Sequence, residues 1–321
     1  SICLLAISRE IASKQIDDLP AGDVLINVKY SSLNYKDALS ATGNRGVTKK
    51  YPHTPGIDAA GIVAESSVAE FAVGDEVFVT GFDLGMNTSG GYQEHIRVPA
   101  AWVIKRLPNL NLKETMVYGT AGLTALLSVA SLVDAGVKAK DGEVLVTGTT
   151  GGVGSFAART LVKLGYEVVG VQRGPEEETF LDSLGLKRIV PVEEVDDQSG
   201  RPLGKGLWAG VIDTVGGNIL YTAIKTTRYG GSITCCGNAA SNSLPATVLP
   251  FILRGITLYG IDSVECPMDY RLRVWNKIAG DWKLDNVEAL AEECSLEELN
   301  EKIDMILQGQ IQGRVVVNLS R

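Results

Sequence analysis

The chain has 321 residues, of which 45% are hydrophobic and 21% are charged, proportions typical of a folded globular protein. This length predicts about two domains, each large enough to bury its own hydrophobic core. The net charge of −8, with no long run of Lys or Arg, argues against a nucleic-acid partner.

The chain opens on an apolar stretch, Ile2 to Ile7, without a basic flank, so we expect no signal peptide. The longest apolar stretches, such as 119–133, are short for a bilayer span and contain Thr and Ser, so no membrane partner is expected. The five cysteines are odd in number and scattered, which is typical of a reduced, cytoplasmic protein. They lie far in sequence from His53 and His95, so we predict no metal site.

Short apolar runs bounded by turn residues fill the chain up to Pro108 and predict a strand-rich, partly barrel-like first domain. The candidate strands are Asp23–Tyr30, Ala59–Ala64, Glu76–Thr80 and His95–Val98. From Thr115 the apolar spacing becomes helical, which predicts a helix over Gly119–Ala135 that ends at Gly136.

A strand, a glycine-rich turn, a helix and a second strand follow one another between Glu143 and Val171, which predicts a βαβ unit. Helical and strand patterns continue to alternate up to residue 261, so we predict an α/β fold with a doubly wound parallel sheet. The remainder is predicted to form helices over 268–308 and a last strand over 313–319.

The glycine triplet Gly148, Gly151 and Gly154 is the central functional motif. Because it follows a strand and opens a helix, backbone amides and the positive helix end can approach a pyrophosphate. The motif therefore predicts a dinucleotide site. The alternative is a tight turn that binds nothing.

The residues at the end of the second strand, Gln172, Arg173 and Gly174, stand where a dinucleotide site has its ribose-binding residue. A carboxylate there would repel a 2′-phosphate, whereas Arg173 can pair with one, so NADPH is favoured over NADH. The alternative for Arg173 is a solvated surface side chain. The acidic residues 176–178 suit the start of a helix and need not face the cofactor.

Two stretches of the first domain, 32–37 (Ser-Leu-Asn-Tyr-Lys-Asp) and 55–61 (Pro-Gly-Ile-Asp-Ala-Ala-Gly), combine with the later glycine turn. Together they resemble the zinc-free medium-chain dehydrogenase/reductase superfamily. The stretches 245–254, 260–263 and 311–314 narrow the resemblance to the acryloyl-CoA reductases and the YhdH/YhfP-type quinone oxidoreductases. The likeness covers essentially the whole chain.

The resemblance implies a GroES-like, β-rich catalytic domain over residues 1–118, completed by 263–321, and a Rossmann NADPH-binding domain over 119–262. It also implies a homodimer or a higher homo-oligomer. Zinc-containing relatives carry Cys in the Asn34-Tyr35 region and Gly-His-Glu at positions 56–58, where this chain has Gly-Ile-Asp. No zinc is therefore implied.

The same resemblance implies cofactor contacts along the chain. These are the pyrophosphate residues Gly151, Gly152, Val153, Gly154 and Ser155, the 2′-phosphate residues Gln172 and Arg173, Thr124 under the nicotinamide, Gly237 and Asn238 beside the nicotinamide ribose, and Arg314 as a late contact. The alternatives are a helical Thr124 that bonds its own backbone and a simple turn at Gly237-Asn238.

The candidate catalytic residues are Asn34, Tyr35 and Asp37, which place an amide, a phenol and a carboxylate together at the end of a strand. This arrangement suits a cleft that faces the glycine turn. The alternative is that Tyr35 packs while Lys36 and Asp37 form a surface pair. Some related enoyl reductases carry a proton-donating Tyr where this chain has Gly43-Asn-Arg45, so the proton donor stays open.

Arg254 is a candidate for the substrate, through a CoA phosphate, or alternatively caps the helix before Gly255. The leading hypothesis is an NADPH-dependent reductase of activated carbon–carbon double bonds, with a short enoyl-CoA such as acryloyl-CoA as substrate. The enoyl thioester comes from the resemblance alone. Quinone reduction and a non-catalytic NADPH-binding sensor are the two alternatives.

Overall fold

The computed structural model describes residues 1–320, which divide into two compact units. The first unit contains residues 1–120, 264–267 and the described residues from 285 onward. The second contains residues 121–263 and 268–284. Each unit has a sheet and a hydrophobic core of its own.

Strands form the framework of both units. They are β1 (Ile2–Leu4), β2 (Ile11–Ser13), β3 (Val24–Leu33), β4 (Asp58–Ser66), β5 (Glu76–Thr80), β6 (His95–Val98), β7 (Ile104–Lys105), β8 (Val144–Val146), β9 (Val168–Gln172), β10 (Arg188–Pro191), β11 (Trp208–Asp213), β12 (Thr227–Cys235), β13 (Thr257–Gly260), β14 (Ala291–Cys294) and β15 (Arg314–Asn318).

Helices separate most strands of the second unit and are fewer in the first. They are α1 (Tyr35–Ala41), α2 (Leu112–Asp134), α3 (Gly152–Lys163), α4 (Glu178–Ser183), α5 (Gly217–Thr226), α6 (Leu249–Arg254), α7 (Met268–Ile278) and α8 (Leu299–Leu307). Single 3₁₀ turns occur as short connections.

The sheet of the first unit has the strand order β14-β15-β3-β4-β5-β7, with β6 also paired to β3. Along β3 the side chains of Val24, Ile26 and Val28 enter one buried core, because alternate residues of a strand face the same side. The long strand β3 pairs antiparallel with β4, β6 and β15. The strand-rich first domain predicted from the turn pattern is confirmed.

The sheet of the second unit has six parallel strands in the order β10-β9-β8-β11-β12-β13, which confirms the doubly wound sheet. Its core includes Leu145, Val169, Val211 and Ile233, one from each of four neighbouring strands. The order of the strands reverses between β8 and β11. In such sheets ligands bind outside the carboxyl ends of the strands at this reversal.

The stretch Met268–Leu284 belongs to the second unit, although the division inferred from the resemblance places it in the first. The reason lies in α7, an amphipathic helix whose apolar residues Val274 and Trp275 are fully buried. The buried guanidinium of Arg271 also donates to the backbone carbonyl of Ser263 in the same unit.

Helix α2 consists of two helical segments joined at Gly119, where the backbone is not helical (φ +51°). The first segment begins at Leu112, seven residues before the predicted start. α2 is long and apolar enough by composition to cross a membrane, but 89% of its most apolar window is buried inside the protein. Such burial is typical of a core helix.

Candidate active site

The glycine turn of the second unit connects the end of β8 to the start of α3. Gly148 has φ +57°, in the left-handed region that favours glycine, and its carbonyl accepts the N–H of Gly151 at 3.0 Å. A Cβ on Gly154 would lie 2.2 Å from the Gly148 carbonyl oxygen. Glycine is therefore required at Gly154 by the close approach of α3 to the turn.

Two buried polar residues join β8 to β11 at the reversal of the strand order. The hydroxyl of Thr147 donates to Asp213 Oδ1 at 2.7 Å, and the other carboxylate oxygen accepts the N–H of Gly216 at 2.8 Å. Burial raises the pKa of Asp213 above its ordinary value. Asp213 thus holds the side chain of Thr147, directly after β8, and the backbone of Gly216, shortly after β11.

A third threonine joins the glycine turn to β9. Thr149 is fully buried, and its hydroxyl accepts the N–H of Val171 at 2.8 Å while it donates to the carbonyl of Val146 at 2.7 Å. The turn is therefore held from both neighbouring strands, which leaves its backbone conformation preorganised.

Arg173, directly after β9, forms an ion pair with Glu177. Its Nε and Nη2 donate to Glu177 Oε1 at 2.9 and 2.6 Å, and its backbone N–H donates to Oε2 at 2.8 Å. The hydroxyl of Thr150, in the glycine turn, donates to the same carboxylate at 3.2 Å. Glu177 therefore contacts two regions predicted to bind the cofactor, although its position at a helix start did not indicate this.

These residues fit the phosphate groups of a dinucleotide. The first N–H groups of an α-helix have no intrahelical acceptors, and Gly152, Val153 and Gly154 occupy that position in α3. With glycine at three of the four positions 151–154, few side chains stand between these amides and a ligand. The cofactor contacts predicted for the turn, for Ser155 and for Gln172 stay predictions.

The contacts predicted for the nicotinamide end occupy other parts of the second unit. The hydroxyl of Thr124 donates to that of Ser263 at 2.6 Å. A Cβ on Gly237 would lie 1.8 Å from the carbonyl oxygen of Thr214, so glycine is needed there for close packing, and Asn238 beside it is exposed. Their roles toward a cofactor stay predictions.

The guanidinium of Arg254 binds backbone carbonyl groups. It donates to Lys225 and Thr227, at 2.8 and 2.9 Å, and also to Gly204. These contacts satisfy carbonyls at the end of α5 and the start of β12 and not those of α6, the helix before Gly255, so they do not support the capping alternative. Binding of a CoA phosphate by Arg254 stays a prediction without support from these contacts.

In the first unit, Asn34 stands between the end of β3 and the start of α1. Asp37 accepts the backbone N–H of Asn34 at 2.9 Å, as expected at a helix N-terminus, and that of Ile57 at 2.8 Å. Its side chain is completely buried. The alternative in which Lys36 and Asp37 form a surface pair is therefore wrong.

Asp58, the first residue of β4, binds residues from two other segments of the first unit. Its Oδ2 accepts the hydroxyl of Ser32 at 2.5 Å and the amide of Asn34 at 2.8 Å. Its Oδ1 accepts the hydroxyl of Thr120 at 2.6 Å. The carboxylate is fully buried and satisfied by these donors, as a buried charge requires.

Arg314, in β15, completes this group of residues. It donates to the hydroxyl of Ser32 at 2.8 Å and to the carbonyls of Leu33 and Val117 at 2.9 and 3.2 Å. Its Nη2 lies 3.9 Å from Asp58 Oδ2. The guanidinium is 3% exposed and directed to groups of its own unit, and a cofactor contact stays a prediction.

We call these residues the buried polar cluster: Ser32, Asn34, Asp37, Asp58, Thr120 and Arg314. Burial and the charge of Asp58 raise the pKa of Asp37 to about 7. Burial lowers the pKa of Arg314, and burial together with Asp37 raises that of the neighbouring Tyr92 well above its usual value. The cluster thus changes its protonation state close to neutral pH.

Tyr35, the first residue of α1, differs from its neighbours in being 45% exposed. Within residues 1–320 its phenol hydroxyl has no hydrogen-bond partner. The packed Asn34 and Asp37 hold the start of the helix on which Tyr35 stands. The phenol is therefore positioned by a rigid backbone and is able to donate to a ligand, and its catalytic role stays a prediction.

Among residues 1–320, no three His, Cys, Asp or Glu side chains are grouped so that they could hold a metal ion. All five cysteines are free thiols, and the ring of His53 is engaged with the carbonyl of Gly85. Independence from metal stays a prediction.

The sequence contained a signal for some of the residues that were not predicted. Asp58 and Asp213 each stand within an apolar run, and a buried carboxylate needs strong hydrogen-bond donors. Glu177 has no such signal, because it is the second of three consecutive acidic residues and the sequence does not distinguish among them.

Comparison with known proteins covers both units. Residues 20–109 match the family described as the alcohol dehydrogenase GroES-like domain, and residues 152–279 match the family described as zinc-binding dehydrogenase. The chain is 44% identical to YhfP of Bacillus subtilis, which is named as a quinone oxidoreductase, over 98% of this chain and 95% of that protein. It is also 44% identical to the acrylyl-CoA reductase AcuI of Ruegeria pomeroyi, over 97% and 95% of the two chains.

Solved structures show the same likeness. The yhdH oxidoreductase of Salmonella enterica in complex with NADP is 42% identical with a TM-score of 0.94, over 97% of this chain and 95% of that one. The Bacillus subtilis protein yhfP with NAD bound is 43% identical with a TM-score of 0.96, over 99% of each chain. The family recognised from the motifs and the GroES-like and Rossmann folds are confirmed. The chain belongs to the medium-chain dehydrogenase/reductase family of oxidoreductases.

Proposed function

We propose that the protein reduces activated carbon–carbon double bonds with NADPH, and that a short enoyl-CoA such as acryloyl-CoA is its substrate. The observation that carries the proposal is the preorganised glycine turn with Arg173 beside it, in a chain that resembles an acrylyl-CoA reductase along nearly its whole length. The substrate class is inferred from this relative alone. The cofactor class is inferred both from the relative and from the geometry of the turn.

The second unit contains the groups that would hold NADPH. The N–H groups at the start of α3 suit a pyrophosphate, and the Arg173 guanidinium suits a 2′-phosphate. One similar structure contains NADP and another contains NAD, so the preference for NADPH rests on Arg173. When bound, NADPH supplies the hydride that adds to the β-carbon of the substrate.

The first unit contains the candidate groups for the substrate. Reduction of an enoyl thioester leaves negative charge on the thioester oxygen, and fixed hydrogen-bond donors stabilise such charge. The Tyr35 hydroxyl and the backbone amides at the start of α1 are the donors we assign to this task. The buried polar cluster holds Asn34, and therefore α1, in place through its bonds to Asp37 and Asp58.

Quinone reduction is the second candidate, and the name of YhfP favours it. It requires a flat apolar site and no proton donor at carbon. We also propose that the protein is cytoplasmic and forms a homodimer or a larger homo-oligomer.

The test is turnover of purified protein with NADPH against acryloyl-CoA, crotonyl-CoA and a benzoquinone, with NADPH alone as the control. Oxidation of NADPH with the CoA thioesters, with the saturated acyl-CoA identified by mass spectrometry, supports the proposal. Oxidation with the benzoquinone alone would instead make the protein a quinone reductase. Tight NADPH binding without turnover of any acceptor would indicate a sensor.

A further inference from the structure

The carboxylate of Glu177 contacts Arg173, the residue that we assign to the 2′-phosphate by which NADPH differs from NADH. The sequence lacks an acidic residue directly at the end of β9, but folding brings Glu177 back to that point. There it accepts three hydrogen bonds from Arg173 and one from Thr150. Its side chain is 2% exposed, while that of Arg173, which covers it, is 55% exposed.

This ion pair changes the charge that a ligand meets. A guanidinium can form two parallel hydrogen bonds to a carboxylate or a phosphate through its Nε and one terminal nitrogen. In Arg173 these two nitrogens, Nε and Nη2, already donate to Glu177. The charge of the guanidinium is thereby balanced by a carboxylate that cannot move into solvent without breaking its bond to Thr150. A 2′-phosphate must compete with Glu177 for the same cation.

We propose that Glu177 sets the cofactor selectivity of the protein, by pairing with Arg173 and opposing the 2′-phosphate, so that NADPH is preferred only modestly and NADH is also accepted. This inference rests on the proposed function, since it concerns the nucleotide site of that reaction. The charges of Arg173 and Glu177 balance each other in this ion pair. Removal of the Glu177 charge leaves the Arg173 cation without this partner, and removal of Arg173 leaves the Glu177 anion without its cation.

The first test is Glu177→Gln, which removes the negative charge and keeps the size of the side chain. Dissociation constants of NADPH and NADH are measured by titration calorimetry, together with those of 2′,5′-ADP and 5′-AMP, which differ in the 2′-phosphate alone. We expect NADPH and 2′,5′-ADP to bind about fivefold or more tightly than to the parent protein, with less than about twofold change for NADH and 5′-AMP.

The matched control is Glu178→Gln, which makes the same change at an exposed neighbour in the first turn of α4. It should leave the ratio of NADPH to NADH affinity within about twofold, because exposed charges are screened by salt. Unchanged or weaker NADPH binding in Glu177→Gln would overturn the inference, since Glu177 would then only hold Arg173 in place.

The second test is Arg173→Ala at an exposed position, and it does not depend on the folding of the Glu177 variant. If Glu177 acts as proposed, its carboxylate is left unbalanced and repels the 2′-phosphate, so the preference inverts and NADH binds more tightly than NADPH. If Glu177 has no influence, the variant binds both nucleotides equally, and the inference is wrong. The double variant with Glu177→Gln should restore equal binding.

The outcomes separate this inference from the proposed function. Failure of the parent protein to bind NADPH or NADH would remove the proposed function. The parent protein could instead bind both nucleotides while Glu177→Gln fails to raise the preference for NADPH over NADH and Arg173→Ala fails to invert it. This result would contradict only the role of Glu177.

Discussion

Thr120 donates to the carboxylate of Asp58 with both its backbone N–H and its hydroxyl. Its backbone N–H lies 3.1 and 3.0 Å from the two carboxylate oxygens, and its hydroxyl donates to Oδ1 at 2.6 Å. Thr120 directly follows the non-helical Gly119 of α2. The break in α2 therefore turns a backbone N–H and a hydroxyl toward a buried carboxylate, in addition to the donors of Ser32 and Asn34.

Gly119→Ala should lower the free energy of unfolding by more than about 2 kcal/mol, because φ is +51° and the new Cβ would lie 2.7 Å from Asp58 Oδ2. Urea denaturation measures the loss. The matched control is Gly260→Ala, at a position without positive φ where a Cβ meets no atom within 4 Å. Equal urea midpoints for the two variants would contradict this account of the break in α2.

The pH dependence of stability should include a contribution from Asp37. Its pKa is raised to about 7 in the folded protein from an ordinary value of 3.8, so the folded state keeps a proton that the unfolded chain has lost. Asp37 therefore contributes a decrease in stability as pH rises from about 4 to about 7, and little further change above that.

The measurement is urea denaturation of the parent protein and of Asp37→Asn at several pH values between 4 and 8. We expect the variant to be less stable by about 1–3 kcal/mol, because Asp37 accepts several buried N–H groups, and to lose the decrease attributed to Asp37. The control is Asp17→Asn at an exposed position, which should keep the profile of the parent protein.

The folds of the two units were largely predictable, because the sequence patterns that indicate them lie within short stretches of the chain. The glycine turn between β8 and α3 and the alternation of strand and helix predicted the parallel sheet, and the turn residues predicted the strands of the first unit. The location of α7 was not predictable from its own sequence. An amphipathic helix specifies that one face is buried, and not which core buries it.

The contacts within the candidate site were predictable only where the residues are close in sequence. Asn34 and Asp37 were placed correctly at the end of a strand, and Arg173 at the end of the next strand after the glycine turn. The partners of Asn34, Asp58 and Arg314, come from distant segments, and only the register of the sheet brings them together. Pairing over such separations leaves no pattern in a single sequence.

Gly154→Ala should weaken NADPH binding more than about tenfold, because its Cβ would lie 2.2 Å from the carbonyl oxygen of Gly148 and must displace either the turn or α3. Fluorescence titration with NADPH measures the loss. Gly260→Ala is again the control for a glycine that has free space. If Gly154→Ala bound NADPH as tightly as the parent protein, the turn would not be the pyrophosphate site.

Removal of metal should leave activity unchanged, because among residues 1–320 no group of metal-ligating side chains is present. The protein is dialysed against a strong chelator, analysed for zinc and assayed with its best acceptor. A medium-chain alcohol dehydrogenase known to contain zinc serves as the control for chelation. A zinc content near one per chain that falls together with activity would contradict the prediction.

Tyr35→Phe should lower kcat by about ten- to a thousandfold while the affinity for NADPH stays the same, if the phenol stabilises negative charge on the substrate oxygen. The hydroxyl is free to donate in this way because it has no hydrogen-bond partner within residues 1–320. Single-turnover reduction at saturating NADPH, with the best acceptor of the substrate panel, measures the chemical step. Tyr229→Phe, which removes a phenol oxygen from the most exposed tyrosine, is the matched control and should react as the parent protein does. An unchanged rate in Tyr35→Phe would remove Tyr35 from the candidate catalytic residues, whereas weaker NADPH binding at an unchanged rate would make Tyr35 a cofactor contact.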